Sequence, residues 1–134
     1  MADPLACLNV MRYRPGDELG WHFDRSRFTV TMALRAAGAG GRFEYRAGLR
    51  AGPDPDAAAV ARLLAGDDDG IESLALSPGT LNVFAGFAAA HRVTPVTAPP
   101  DRLVAVLSFM DRPDVRFSAA DRRRFYGRDH TLDN

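Results

Sequence analysis

The sequence contains no lysine: all 17 of its basic residues are arginine, and 17 acidic residues balance them to a formal net charge of zero. Without lysine, Schiff-base catalysis, a catalytic ammonium and the lysine-dependent phosphate loop are excluded. A balanced charge also argues against a nucleic-acid partner, because phosphate binding needs an excess of basic residues on one face. A single cysteine, Cys7, cannot form an intramolecular disulfide, and on a strand it reads as a small buried hydrophobe. No apolar run approaches the roughly 20 residues of a membrane span, and no apolar leader opens the chain. The expectation is a soluble, cytoplasmic protein with no membrane partner. What remains is ordinary for one domain with one core: 134 residues, 46% hydrophobic and 25% charged.

Hydrophobic periodicity predicts short strands punctuated by turn residues, the pattern of an all-β sandwich or barrel. The strands are placed at 6–13, 20–24, 27–35, 42–45, 71–76, 81–84, 90–96 and 102–109, eight in all. In the third, Phe28, Val30, Met32 and Leu34 alternate with Thr29, Thr31 and Ala33, and the larger apolar set is expected to face the core. Residues 54–66 read as a helix, with Asp54 as N-cap, Pro55 at the first helical position, Val60, Leu63 and Leu64 as its apolar stripe, and Gly66 just past its end. Asp67-Asp68-Asp69-Gly70 reads as a turn. Ser118 to Asp121 has the form of a capping box for a last short helix stopped at Gly127, and the tail beyond, with His130, reads as exposed.

Chemistry concentrates around two of the three histidines. His22 and Asp24 are two apart on a predicted strand, so both side chains leave one face and can chelate one metal ion. His91 opens the seventh strand, which a barrel can bring opposite that pair. Two imidazoles and one carboxylate on one face of an octahedron are the ligands of non-haem Fe(II) oxygenases, which leave three coordination positions open. H-x-D alone is a weak signal, and Arg102 supplies the context. It starts the eighth strand, shares a face with Val104, Val106 and Ser108, and carries a guanidinium that can fork onto a dicarboxylate.

These segments resemble the double-stranded β-helix Fe(II)/2-oxoglutarate oxygenases over nearly the whole chain. The resemblance rests on Tyr13-Arg-Pro-Gly16, His22-Phe-Asp24, Gly40-Gly41 before Phe43, Pro78-Gly-Thr-Leu-Asn-Val-Phe84, His91-Arg-Val-Thr-Pro-Val96, and the strand from Arg102 to Phe109. It implies a jelly-roll barrel with one or two short helices, and His22, Asp24 and His91 as iron ligands. It further implies Arg102 on the distal carboxylate of 2-oxoglutarate, with Tyr13 reaching the same cosubstrate as in prolyl-hydroxylase-like members. The reaction implied consumes O2 and 2-oxoglutarate, releases succinate and CO2, and hydroxylates a C–H bond. Within the superfamily, the run from His22 to Tyr45 and the ending Phe125-Tyr-Gly-Arg128 look most like the branch that hydroxylates or halogenates free amino acids. Halogenating members replace the carboxylate ligand by glycine, whereas here the position is Asp24. Nucleic-acid demethylases carry a second arginine six residues after the first on the last strand, where this chain has Ser108.

The pocket is expected to include Asn9 and Met11, which share a strand face with Tyr13, together with Ser108. Arg25, Ser26, Arg27 and Arg128 are candidates for gripping a substrate carboxylate, while Arg122, Arg123 and Arg124 read as a solvated helix face with room for one inward member. The reading is a small-molecule hydroxylase, with a free amino acid or derivative as substrate. Its rivals are a protein side-chain hydroxylase of prolyl type and a metal-binding jelly roll without turnover. The chain is expected to form a single catalytic domain lacking the superfamily's usual N-terminal helices. Leu103, Ala105, Leu107 and Phe109 then present an uncovered apolar face, expected to meet a second copy in a homodimer or a missing N-terminal segment.

Overall fold

The computed structural model describes residues 3–129. Ten strands and two helices follow in the order β1 (Leu8–Tyr13), β2 (Leu19–His22), β3 (Phe28–Arg35), β4 (Ala39–Gly40), β5 (Phe43–Arg46), α1 (Ala57–Leu64), β6 (Glu72–Leu74), β7 (Leu81–Phe84), β8 (Ala90–Val93), β9 (Val96–Ala98), β10 (Arg102–Phe109) and α2 (Ala119–Tyr126). Two antiparallel four-stranded sheets, ordered β1-β10-β3-β7 and β2-β8-β5-β6, carry the fold, with β4 and β9 as a short extra pair. This is an all-β, cupin-like fold, as the strand pattern predicts, in the jelly-roll form that the resemblance implies. Tyr13, Val93, Val96 and Val104 close one end of the space between the sheets. A second apolar cluster, Leu49, Ala59, Leu63 and Ala90, seats α1 on the second sheet. Among the described residues no helix is long and apolar enough to cross a membrane.

The strands β7 and β10 fall on their expected bounds, while others differ in ways that matter. The expected seventh strand is interrupted at Thr94-Pro95 into β8 and β9, since proline has no N–H to give a ladder. The first helix starts later than expected, with Asp56 rather than Asp54 as N-cap; its carboxylate accepts from the Ala59 amide at 3.0 Å. The Asp56 amide is itself bonded to the Leu49 carbonyl at 2.8 Å, which holds that residue outside the helix. Within α1, Ala59 and Leu63 are buried while Leu64 faces solvent. Cys7 is exposed rather than buried, because β1 begins only at Leu8 and Cys7 lies on the turn before it.

The main correction concerns β3. Thr29, Thr31 and Ala33 are the buried set, while Phe28, Met32 and Leu34 are exposed. Alternation gives the period of a strand but not which face points inward. The inner face of the first sheet is mixed: Ala33 and Val104 pack into the core at one end, while Thr29, Thr31 and Arg102 are buried polar residues. The outer face of the sheet is apolar. Strand register aligns Leu8 with Leu107, Val10 with Ala105, Met32 with Ala105 and Leu81, and Val30 with Leu107 and Val83. On that face Leu8, Val10, Phe28, Met32, Leu34, Leu81, Val83 and Phe109 are each at least 40% exposed.

Candidate metal centre

His22 ends β2 and His91 lies in β8, where antiparallel pairing sets the two directly opposite each other. Their rings sit 4.1 Å apart between centroids. Asp24 does not leave the strand face beside His22, because β2 stops at His22 and Asp24 is carried by the following turn. Two contacts place it there. Its amide donates to the Gly86 carbonyl at 2.9 Å, and Thr29 on β3 donates its hydroxyl to Asp24 Oδ2 at 2.5 Å. The other oxygen, Oδ1, lies 3.6 Å from His22 Nε2 and 3.5 Å from His91 Nε2. The three residues form a group able to hold a metal ion.

The second nitrogen of each ring fixes its protonation. His22 Nδ1 contacts the Gly20 carbonyl at 2.8 Å and His91 Nδ1 the Ala89 carbonyl at 2.9 Å. A carbonyl oxygen only accepts, so Nδ1 carries the proton in both rings and each Nε2 presents a lone pair. Two such lone pairs and a carboxylate oxygen converging on one point suit a cation between them. A proton is disfavoured on His22: burial, and then the neighbouring His91, push its imidazole below the ordinary value, against the opposing pull of the Gly20 carbonyl and Asp24. Burial by itself would raise the Asp24 carboxyl. His91, Thr29 and His22 outweigh it and hold Asp24 below its ordinary value. His91 is buried, with Phe84 edge-on at 4.8 Å and Phe43 at 5.8 Å, whereas His22 and Asp24 keep part of their side chains exposed.

Arg102 opens β10 and is paired in register with Tyr13 on β1. Its guanidinium sits 5.2 Å from the Tyr13 ring centre, and both residues are buried. Arg102 Nη1 has no hydrogen-bond partner, and among the described residues no carboxylate lies within ion-pair reach of it. Burial lowers its basicity, against the Tyr13 hydroxyl, and burial likewise raises Tyr13. Gly41 makes the approach: its φ is +62°, and a Cβ there would come within 3.1 Å of Arg102 Cδ. A cleft of about 230 Å³ borders Arg102, walled by the small residues from Ala36 to Gly41 and by Leu76.

Other expected pocket residues divide. Asn9 is half-buried near the Tyr126 hydroxyl, while Met11 is 40% exposed. Ser108 is half-buried and paired in register with Thr29. Ser26 is buried and bonded to Thr29, and so supports Asp24 from behind. Arg25 is drawn off to Asp121 at 2.5 Å and lies over Phe125. Arg128 is half-buried just after the left-handed Gly127 that ends α2. Arg122 is the inward member of its triplet, 2.9 Å from the fully buried Asp3. His130 lies outside the described residues. The sequence reading missed Thr29, Gly86 and Tyr126. Thr29 was signalled by the polar alternation of β3, assigned to the wrong face; nothing local marks Gly86.

Residues 6–124 match the halogenase D family. The chain belongs to that family. Asp24 is therefore a feature of this halogenase D member's own site, since it contributes the carboxylate to the three-residue group. No curated protein matches the chain. Among solved structures, the non-heme monooxygenase ThoJ in complex with nickel is similar, with a TM-score of 0.50 at 18% identity over 90% of this chain. The match covers 60% of that protein, so the chain spans less than two thirds of its length. At this identity the likeness shows the fold.

Proposed function

We propose that this halogenase D member is a non-haem Fe(II) oxygenase that uses 2-oxoglutarate and O2 to hydroxylate a small molecule, a free amino acid or close derivative. The observation that carries the reading is the convergence of His22 Nε2, His91 Nε2 and Asp24 Oδ1 within 4.8 Å of one another. One carboxylate and two neutral imidazoles match ferrous iron on one coordination face. Bound iron with 2-oxoglutarate would supply the oxidising power for oxygen insertion, with succinate and CO2 released. The chain's own residues supply the rest. Arg102 offers an unpaired, buried donor to the distal carboxylate of 2-oxoglutarate, and Tyr13 flanks it. Phe84 and Phe43 keep water from His91, and the Gly20 and Ala89 carbonyls hold both Nδ1 protons away from the metal. Helix α2 is tied down by Arg122 to Asp3 and by Asp121 to Arg25, which sets Tyr126 beside Asn9 as a substrate-facing wall.

Asp24 favours hydroxylation over halogenation, because its carboxylate takes the position that chloride would need. The test is incubation with Fe(II), 2-oxoglutarate, chloride and a panel of free amino acids, scored for succinate and by mass of the product. A substrate gaining one oxygen is expected. Chlorinated product alone would overturn the hydroxylase assignment, and a panel silent in succinate would overturn the substrate class.

A further inference from the structure

A carboxylate ligand has two equivalent oxygens, and nothing in His-Asp-His chemistry decides which one meets the metal or whether both do. Here the decision is built into β3. Thr29 has a single hydroxyl proton, and its Oγ1 lies 2.5 Å from Asp24 Oδ2, an oxygen that only accepts. That proton is committed. In the 2.8 Å contact between Ser26 Oγ and Thr29 Oγ1, Thr29 must therefore accept and Ser26 donate. Ser26 and Thr29 are 3% and 2% exposed, so water does not compete for this chain. Gly86 presses on Asp24 as well: even a Cβ there would come within 2.8 Å of Asp24 Cβ and Cγ and closer still to Oδ2. Thr29 and Gly86 thus both hold the Oδ2 side, and Oδ1 is the oxygen set toward the two imidazoles.

We infer that Thr29 is a positioning residue that, oriented by Ser26, keeps Asp24 a one-oxygen ligand and so preserves an open coordination position on the metal. The inference rests on the metal-centre reading above and adds to it the group that sets its coordination number. Without the hydroxyl, Oδ2 loses the side-chain donor that holds it away from the imidazoles, and Asp24 is free to close onto the metal through both oxygens. That fills a position otherwise available to cosubstrate or solvent.

The experiment uses Co(II) as the probe, added anaerobically to the wild-type chain and to Thr29→Val, Thr29→Ser and Ser26→Ala, each checked for intact near-ultraviolet dichroism. Titration by the visible d–d bands reads affinity and coordination together. Thr29→Val is expected to lose ten- to a hundredfold in affinity, the usual effect of removing a ligand's orienting partner, and to show displaced d–d bands. Thr29→Ser keeps the hydroxyl and is expected to restore the wild-type spectrum, with Ser26→Ala between the two. General loosening would weaken binding without displacing the bands, so an unshifted Thr29→Val spectrum overturns the inference. So does a Thr29→Ser protein that behaves like Thr29→Val. A wild-type chain that takes up no cobalt overturns this inference and the metal-centre reading together.

Discussion

Replacing Gly86 by alanine adds one methyl group, and the structure says where it must go. The added carbon would lie 2.8 Å from both Asp24 Cβ and Cγ, and closer still to Oδ2. Ordinary carbon contacts are about 3.5–4.0 Å, so Asp24 or the Gly86 backbone must retreat by about 1 Å. Gly86 has no positive φ, which removes backbone strain as an explanation. Metal–ligand distances tolerate only about 0.2 Å, so a retreat of that size takes Oδ1 out of bonding range. The expected loss is about a hundredfold in metal affinity, or about 2.7 kcal/mol. Overpacking costs folding about 1–3 kcal/mol, which a domain of ordinary stability survives. Calorimetric titration with Co(II) measures the first quantity, and urea unfolding of the apo form the second. Gly52→Ala is the matched control: no atom lies within 4 Å of its Cβ and its φ is ordinary, so it should gain about 0.4–1 kcal/mol and leave metal binding alone. A folded Gly86→Ala protein with wild-type affinity would refute the placement of Asp24 by this contact.

Arg102→Met should raise the 2-oxoglutarate requirement more than a hundredfold in a succinate assay, because a charge-assisted fork is lost. The same variant, free of ligand, should melt no lower than wild type by calorimetry, since a buried guanidinium with an unmade bond has been removed. Asp3→Asn should cost about 3 kcal/mol in urea unfolding at neutral pH by breaking the buried pair with Arg122. For Asp3, burial opposes ionisation, but the Phe117 amide, Arg122 and the Leu5 amide outweigh it and leave the carboxyl below its ordinary value of 3.8. Its contribution is therefore complete above the unfolded value and lost as pH falls through the lower folded one, so wild type and Asp3→Asn should converge in stability only in strong acid. Co(II) at a hundred times its dissociation constant should stabilise the fold by about 2.7 kcal/mol, read as a rise in Tm of several degrees that a chelator reverses.

The strands were legible where turn residues bound them sharply, as at β7 between Gly79 and Gly86 and at β10 after Asp101. The metal group was legible as residue types at a spacing, but a shared strand face is not what joins His22 to Asp24, since β2 ends at His22. Asp24 is off the strand, and it reaches the group through Thr29 and Gly86. Gly86 lies 62 residues away in sequence, and no local pattern encodes such a contact. Around Asp54, Pro55 and Asp56, two aspartates competed for one cap, and a tertiary bond from the Asp56 amide to Leu49 settled it. The inward face of β3 was misassigned because hydrophobicity marks the buried side only where the interior is dry. In this barrel the inner face of the first sheet carries Thr29 and Thr31 beside the His22, Asp24 and His91 group, so polar residues are buried there.

That inversion has a practical side for anyone handling or engineering the protein. On the first sheet, mutating oily residues to polar ones is the cheap direction: Val10→Thr and Val83→Thr, at positions 63% and 60% exposed, should change unfolding free energy by no more than about 0.5 kcal/mol while raising the concentration at which the protein precipitates. Making Thr29 apolar, which a hydropathy profile would recommend as a core improvement, would instead remove the hydroxyl that bonds Asp24. Directed-evolution libraries ranked by apolarity alone would thus be scored backwards at Thr29 and Thr31 on this sheet, and at His91 on the other.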